Sequence, residues 1–244
     1  YVLNANDNHW LTNANAPLEG YPMLYGDERT PRTPRTRMNH RFLLEDNELW
    51  SIDRIKQASF SGRSILQEDL RTAVVERCET TNSVTVDFED EEHTVDLVQA
   101  CAVLKSWDGT SQLDSTGIHI WRELLGAGIF EFEDMLNAGI LYRQAFDPDQ
   151  PMSTPSNLAE PSTDRDYLLE SMGLAVLRLE QAEVEMDAPL SEIQFQSKNG
   201  ELIPIMGNSE FEGSLAISVY SRGTTTLLSR ESTEESINST TDLR

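Results

Sequence analysis

Residues 4–10 read NANDNHW, a run of amide and carboxylate side chains that ends on a tryptophan. Asparagine and aspartate favour tight turns, because their short side chains hydrogen-bond to nearby backbone N–H groups. The run therefore predicts a polar turn near the start of the chain. Taken by itself, it makes Asn6 an ordinary Asx-turn residue, with Trp10 as the apolar anchor packed beneath the turn.

A second local feature follows at residues 26–37, which read GDERTPRTPRTR. Four arginines are concentrated there: Arg29, Arg32, Arg35 and Arg37. A nucleic-acid site would interleave such a cluster with aromatic side chains, which this stretch lacks. The alternative is that the arginines neutralise acidic side chains within the protein itself.

The chain as a whole is strongly acidic, with a formal net charge of -23. Such a surface repels nucleic acid and anionic lipid, so neither is expected as a partner. No apolar stretch approaches the length of a membrane span. The chain begins at Tyr1 without the charged and apolar regions of a signal peptide, which favours a segment of a longer precursor.

The pattern along the chain predicts an α+β fold in four regions. Residues 1–42 are loop-rich, and residues 43–146 are mainly helical. Residues 147–163 form a Pro-rich linker or long surface loop, and residues 164–244 combine a helix with a β-hairpin region.

Apolar residues at helical spacing define two helices of the middle region. They are Leu97, Cys101 and Leu104 in the first helix, and Ile118, Trp121 and Leu125 in the second. Asp96 is the expected cap of the first helix, and Asp114 or Ser115 of the second.

The last third begins with a helix over residues 164–185 and then changes character. Asn199-Gly200 between two apolar runs is a strong hairpin signal, because both turn residues take positive φ. Residues 215–220 alternate and predict a further strand, whereas the polar tail from Arg230 has a disordered composition. The apolar positions of the helix are Leu168, Met172, Ala175, Val176 and Leu179.

Familiar catalytic and cofactor motifs are missing from the chain, including Gly-x-Ser-x-Gly, HExxH, the Walker loop and the dinucleotide fingerprint. The two cysteines have no histidine at zinc-finger spacing, so no metal site is predicted. No cofactor is expected either. The four scattered histidines are expected to be structural: His9, His40, His93 and His119.

Cys78 and Cys101 flank an acidic stretch, residues 87–92, which is predicted to be a turn between two helices. A chain that doubles back there would bring the sulfurs together as a disulfide, the form typical of oxidising compartments. Two buried free thiols are the alternative. The residues themselves leave both readings open.

An ordered series of short motifs resembles the penicillin acylase family of N-terminal nucleophile hydrolases, and within it the acyl-homoserine-lactone and aculeacin-type acylases. The series spans residues 1 to about 215, which makes it more specific than any single motif. It consists of residues 4–13, 17–22, 26–29 and 35–37, followed by 100–104, 107–109, 146–148, 154–155, 187–190, 199–200, 203–205 and 211–213.

The resemblance implies an αββα sandwich, here partial, made from a self-cleaved precursor. The family's β-subunit begins with a serine that attacks an amide, and its free α-amine acts as the base. Tyr1 cannot take that role, so no nucleophile is expected in this chain. The α-subunit and the N-terminal part of the β-subunit would be its missing partners.

Two site residues follow from the resemblance by position. Asn6 matches the asparagine whose amide stabilises the oxyanion, with Asn4 as the runner-up in the same turn. Arg29 matches the supporting arginine, with Arg35 as the runner-up because loop length varies here.

Two hypotheses about function are therefore compatible with the sequence. The first is part of an amide hydrolase whose substrates are N-acyl small molecules, such as acyl-homoserine lactones, lipopeptides or β-lactams. The second is a non-catalytic binding or structural domain derived from the same family. The resemblance further implies a periplasmic or secreted protein, and therefore a Cys78–Cys101 disulfide.

Overall fold

A computed structural model describes residues 1–45, 48–126, 129–130, 134, 139–199, 201–209 and 211–216. The described part mixes helices with short antiparallel strand pairs, so the predicted α+β class is confirmed. None of the described helices is long and apolar enough to cross a bilayer.

The N-terminal region holds two 3₁₀ helices, His9–Leu11 and Met23–Tyr25, and then α1, Pro34–Leu44. Helical structure thus begins inside the region that was predicted as loop-rich up to residue 42. The reason is local, because proline is favoured at the first position of a helix and the Thr33 hydroxyl accepts from the Thr36 N–H.

The middle region contains α2, Ile52–Ser59, and α3, Ile65–Cys78, then strands β1, Ser83–Phe88, and β2, Glu91–Asp96. The predicted turn within residues 87–92 is confirmed, at Glu89 and Asp90, but the two strands that lie between it and the flanking helices were not predicted. The two strands form an antiparallel hairpin, and its turn residues Glu89 and Asp90 both take positive φ.

Two more helices complete this region, α4, Val98–Ser106, and α5, Ile118–Gly126. Their predicted apolar positions are buried, as the helical spacing requires. Asp96 accepts from the Val98 N–H at 2.8 Å and so serves the first turn of α4. The predicted cap of α5 was wrong, because α5 starts beyond Asp114 and Ser115, and the Ser115 hydroxyl donates to Asp108.

A disulfide joins Cys78, the last residue of α3, to Cys101 in α4. The β1–β2 hairpin is the excursion that lets the chain double back between these helices. Of the two alternatives, a disulfide or two buried free thiols, the structure has the disulfide.

The Pro-rich stretch is an ordered part of the fold rather than only a linker. Strand β4, Ser156–Leu158, pairs antiparallel with β3, Tyr142–Gln144, and the Thr154 side chain is buried beside it. The region predicted as mainly helical up to residue 146 therefore ends in a strand. The prolines correctly predicted irregular backbone in this stretch, but they did not predict that part of it pairs with β3.

Helix α6, Tyr167–Gln181, is shorter at both ends than predicted and is capped by Asp166, whose carboxylate accepts from two backbone N–H groups. All its predicted apolar positions are buried, and the helix packs against α5 and β1 to form the centre of the core. Gly173 makes the close approach to the hairpin possible, because a Cβ there would lie 2.6 Å from a Val84 methyl carbon.

The C-terminal part holds a short helix α7, Leu190–Ile193, and the strands β5, Phe195–Lys198, and β6, Glu201–Pro204. The predicted hairpin is confirmed, with Asn199 at φ 54°. Gly200 lies outside the described residues. Of the strand predicted over residues 215–220, Leu215 and Ala216 lie in a bend, and the rest lies outside the described residues together with the tail from Arg230.

Candidate functional site

The polar turn at residues 4–10 is organised around the backbone of Asn6. The Asn6 N–H donates to Asn4 Oδ1 at 2.9 Å, and Asn6 itself takes a left-handed conformation with φ 58°. Asparagine tolerates that conformation better than most residues. Asn4 therefore uses its side chain to shape the turn, while the exposed Asn6 side chain projects from it.

Arg35, in the first turn of α1, holds the Asn6 side chain. One of its nitrogens, Nη2, donates to the Ala5 carbonyl at 2.8 Å and to Asn6 Oδ1 at 3.1 Å. A guanidinium only donates, so it must face the amide oxygen of Asn6 and not the nitrogen. The Asn6 NH₂ group is thereby directed away from Arg35, and within the described residues it has no hydrogen-bond acceptor.

Arg32 is the buried support of the same turn, with a side chain 1% exposed. It donates to the Asn8 carbonyl at 2.9 Å and pairs with Asp7 at 3.3 Å. Burial lowers the pKa of Arg32, whereas the nearby Asp7 charge acts in the opposite direction. Sequence reasoning grouped Arg32 with its neighbours and gave it no separate role, since nothing local distinguishes it from them.

Trp10 packs beneath the turn, as predicted. Its ring is 2% exposed and lies 5.2 Å from the Arg32 guanidinium carbon, in a cation–π arrangement. The indole N–H donates to the Thr30 carbonyl at 3.2 Å, and Arg32 Nη2 donates to the same carbonyl at 3.0 Å. The turn is thus tied to the arginine loop from below.

Asp7 ties the turn to α1 directly. Its Oδ2 accepts from the Thr33 N–H at 2.9 Å, one residue before the helix begins. Asn6 and Arg35 therefore lie on two segments that the Thr33–Asp7 hydrogen bond already joins.

Arg29 makes other contacts. It pairs with Glu19 at 3.3 Å and with Asp149, and the side chains of this group are substantially exposed. Its hydrogen bond to Asp149 is the main reason that the pKa of Arg29 is raised. The structure thus brings the runner-up Arg35 to Asn6 and places Arg29 in a surface ion-pair group.

The remaining arginine of the loop, Arg37, is buried and donates to Asp69 at 2.9 Å and to the Tyr142 hydroxyl at 3.1 Å. Arg29, Arg32 and Arg37 all pair with carboxylates of this chain. The cluster therefore neutralises acidic side chains internally, which is the alternative to a nucleic-acid site.

An apolar cleft of about 400 Å³ opens beside the turn. Its wall includes the Trp10 indole and the rings of Tyr21 and Tyr25. Glu28 sits at this cleft with its carboxylate occupied by the Gly20 and Tyr21 N–H groups, which lowers its pKa. The lining residues are His9, Trp10, Leu18, Tyr21, Tyr25, Gly26 and Glu28.

Two of the four histidines, His40 and His119, are buried. His40 lies in α1 with Nδ1 3.1 Å from the Tyr1 hydroxyl, and burial lowers its pKa. His119 lies in α5 with Nε2 3.1 Å from the Glu185 carbonyl oxygen, and burial lowers its pKa to about 4. Among the described residues, no cluster of three or more histidines, cysteines and acids is placed to hold a metal ion.

A model of the penicillin amidase family matches residues 1–227. The chain belongs to the penicillin amidase family. The resemblance that the ordered motifs carried is therefore confirmed, and the match includes the Asn4–Trp10 turn, the arginine loop and the helices that support them.

Individual relatives in this family are acylases. Aculeacin-A acylase of Actinoplanes utahensis is 34% identical over 164 residues, covering 64% of this chain and 19% of the relative. Acyl-homoserine lactone acylase PvdQ of Pseudomonas syringae pv. syringae (strain B728a) is 28% identical over 219 residues, covering 85% of this chain and 25% of the relative. The chain thus spans about a quarter or less of the length of these two penicillin amidase relatives.

Proposed function

We propose that this chain is part of the β-subunit of an N-acyl amide hydrolase and that Asn6 supplies an oxyanion-stabilising amide. The observation that carries the proposal is the orientation of Asn6, whose Oδ1 accepts from Arg35 while its NH₂ group is left to donate. Membership of the penicillin amidase family and the acylase relatives support the reaction class.

The chemistry follows from this orientation. In the complete enzyme, a serine hydroxyl from outside this chain attacks the substrate amide carbon, and the carbonyl oxygen gains negative charge. The Asn6 NH₂ group donates to that oxygen. Because the donor is held in place before the reaction, no solvent has to reorganise as the charge develops.

Arg35 is the supporting arginine in this proposal, in place of Arg29. Its guanidinium holds both the backbone carbonyl of Ala5 and the side-chain oxygen of Asn6, so it links the backbone of the turn to the side chain of the donor. Its positive charge close to the amide oxygen also polarises the NH₂ group toward stronger donation.

The substrate class is an N-acyl small molecule with a substantial apolar part. The relatives' names specify an acyl-homoserine lactone and aculeacin A, and the aromatic cleft at His9 and Trp10 supports an apolar group in the substrate. The proposed fold of the complete enzyme is the αββα sandwich of N-terminal nucleophile hydrolases. The proposed location is periplasmic or secreted, for which the Cys78–Cys101 disulfide is a physical argument.

The test is the Asn6→Ala substitution in the complete, processed enzyme. We expect kcat to fall by roughly 10²–10³ with a much smaller change in KM, because the lost contact forms mainly in the transition state. Asn4→Ala should cost less, since Asn4 only shapes the turn. Asn15→Ala changes an exposed asparagine nearby and should leave kcat unchanged.

Processing must be checked by gel first, because precursor cleavage passes through a similar oxyanion. A processed Asn6→Ala enzyme with normal kcat would rule out the proposed role of Asn6. If Asn4→Ala alone lost activity, the donor would be Asn4.

A further inference from the structure

A C-terminal turn at residues 211–214 lies against the helix that carries Arg35. At its apex Gly213 has φ +81°, and a Cβ there would lie 2.7 Å from the carbonyl carbon of Pro34 and 2.5 Å from Ile65 Cγ2. Backbone therefore packs directly on backbone at the first residue of α1. No other residue type fits without displacing Pro34 or the turn.

The turn is itself tied to α5. Glu212 is 1% exposed and pairs with Arg122 of α5 at 3.2 Å, a residue that is fully buried. Glu212 Oε2 also accepts from the Ser209 N–H at 2.7 Å. A buried pair of this kind is costly to break, because one charge would be left buried without its partner.

The same turn also satisfies the start of α3. The Ile65 and Leu66 N–H groups donate to the carbonyls of Gly213 and Glu212, each at 3.3 Å. First-turn N–H groups lack partners within their own helix, so these bonds anchor the turn to α3. Gly213 is thus fixed between α3 and α1, next to the residue that precedes Arg35.

We propose that Gly213 is a positioning residue for the oxyanion donor: the 211–214 turn sets the first turn of α1, and with it the Arg35 guanidinium that orients Asn6. This inference rests on the proposed role of Asn6. The Asn6–Arg35 hydrogen bond is 3.1 Å long, in the upper part of the usual N–H···O range, so a displacement of Pro34 that moves Arg35 away from the turn weakens it.

The first test needs no catalysis and uses the 244-residue chain. The Asn6 side-chain NH₂ resonances are recorded by NMR for the wild type, Gly213→Ala and Arg35→Ala. Gly213→Ala is expected to move them toward their positions in Arg35→Ala, which marks the released amide. A folded Gly213→Ala chain with wild-type Asn6 resonances would overturn the proposal.

Gly173→Ala is the matched control. A Cβ at Gly173 would lie 2.6 Å from a Val84 methyl carbon, so this glycine is also crowded, but its neighbours belong to the β1–β2 hairpin. Gly173→Ala is expected to lower the midpoint of thermal unfolding and leave the Asn6 resonances in place. Equal movement in both variants would show a general effect of lost stability and count against the proposal.

A second measurement covers the case in which Gly213→Ala does not fold. Native-state hydrogen exchange of the wild-type chain should show the Arg37 N–H of α1 opening together with the Ile65 and Leu66 N–H groups, because one turn holds both helix starts. Independent opening of α1 would overturn the proposal.

In the complete enzyme, Gly213→Ala should lower kcat on the order of 10- to 100-fold with little change in KM, and Gly173→Ala should not. If Gly213→Ala shifts the Asn6 resonances but kcat is unchanged, the positioning holds and the proposed role of Asn6 fails. If the resonances stay in place and Asn6→Ala is inactive, the positioning alone fails.

Discussion

Arg35 donates from one nitrogen to the Ala5 carbonyl and to Asn6 Oδ1, and so it fixes which end of the Asn6 amide points outward. The two residues come from different segments, a left-handed turn and the first turn of α1. Their contact converts a flexible exposed amide into an oriented donor.

The two candidate arginines can be separated by substitution. We expect Arg35→Ala in the processed enzyme to lower kcat by roughly 10- to 100-fold with KM little changed, because the Asn6 amide loses its orientation. Arg29→Ala should leave kcat near normal, since exposed ion pairs contribute little. Steady-state kinetics decide between them, and a loss confined to Arg29→Ala would restore Arg29 as the supporting residue.

Lysine is the informative replacement at the same position. Arg35→Lys keeps the charge but loses the planar guanidinium. It should therefore recover only part of the activity that is lost in Arg35→Ala. Full recovery by lysine would show that a positively charged donor is sufficient and that the planar guanidinium contributes nothing further.

The 244-residue chain by itself is expected to release no acid from N-acyl substrates. An oxyanion donor without an attacking group leaves little catalysis. Liquid chromatography of an acyl-homoserine lactone incubated with the purified chain measures this directly. Turnover that disappears in Asn6→Ala would contradict the expectation and place a nucleophile within these residues.

The disulfide should contribute substantially to stability. Cys78 and Cys101 are 23 residues apart, and closing a loop of that size restricts the unfolded chain by about 3 kcal/mol. The Cys78→Ala, Cys101→Ala double variant is expected to unfold at a lower urea concentration, with its free energy of unfolding reduced by about that amount. Reduced wild-type protein is the control, and thiol titration of unreduced, denatured protein should detect no free thiol.

His119 makes the stability depend on acidity. Its pKa is lowered from the usual 6.5 to about 4 by burial in α5, so it stays neutral in the folded chain while the unfolded chain takes up a proton. Stability is therefore lost as the pH falls from about 6.5 to 4, by on the order of 3 kcal/mol, and this contribution then levels off.

The measurement is urea unfolding of the wild type and His119→Gln across that pH range. The variant should be less stable at pH 7 and should lose less stability on acidification. Parallel pH profiles would contradict the assignment to His119, because the remaining titrating groups are common to both proteins.

Regular structure with a clear period was largely predictable. The buried faces of α4, α5 and α6 and the β5–β6 hairpin followed from apolar spacing and from the Asn199 turn. The β1–β2 hairpin was not predictable in the same way. Strand β1 does alternate, with Val84, Val86 and Phe88 apolar, but Val95 is the only apolar residue of β2, so the second strand carries no alternating pattern.

In the candidate site, too, some features followed from the sequence and others only from the tertiary structure. Sequence alone determined the family, the polar turn with Asn6 in it, and the presence of four arginines nearby, because these depend on residue type and order. Only the tertiary structure decided that Arg35 orients Asn6, that Arg32 is buried with Asp7, and that Arg29 pairs at the surface. Four identical side chains within nine residues have the same local chemistry, and the path of the chain decides which carboxylate or amide each one meets.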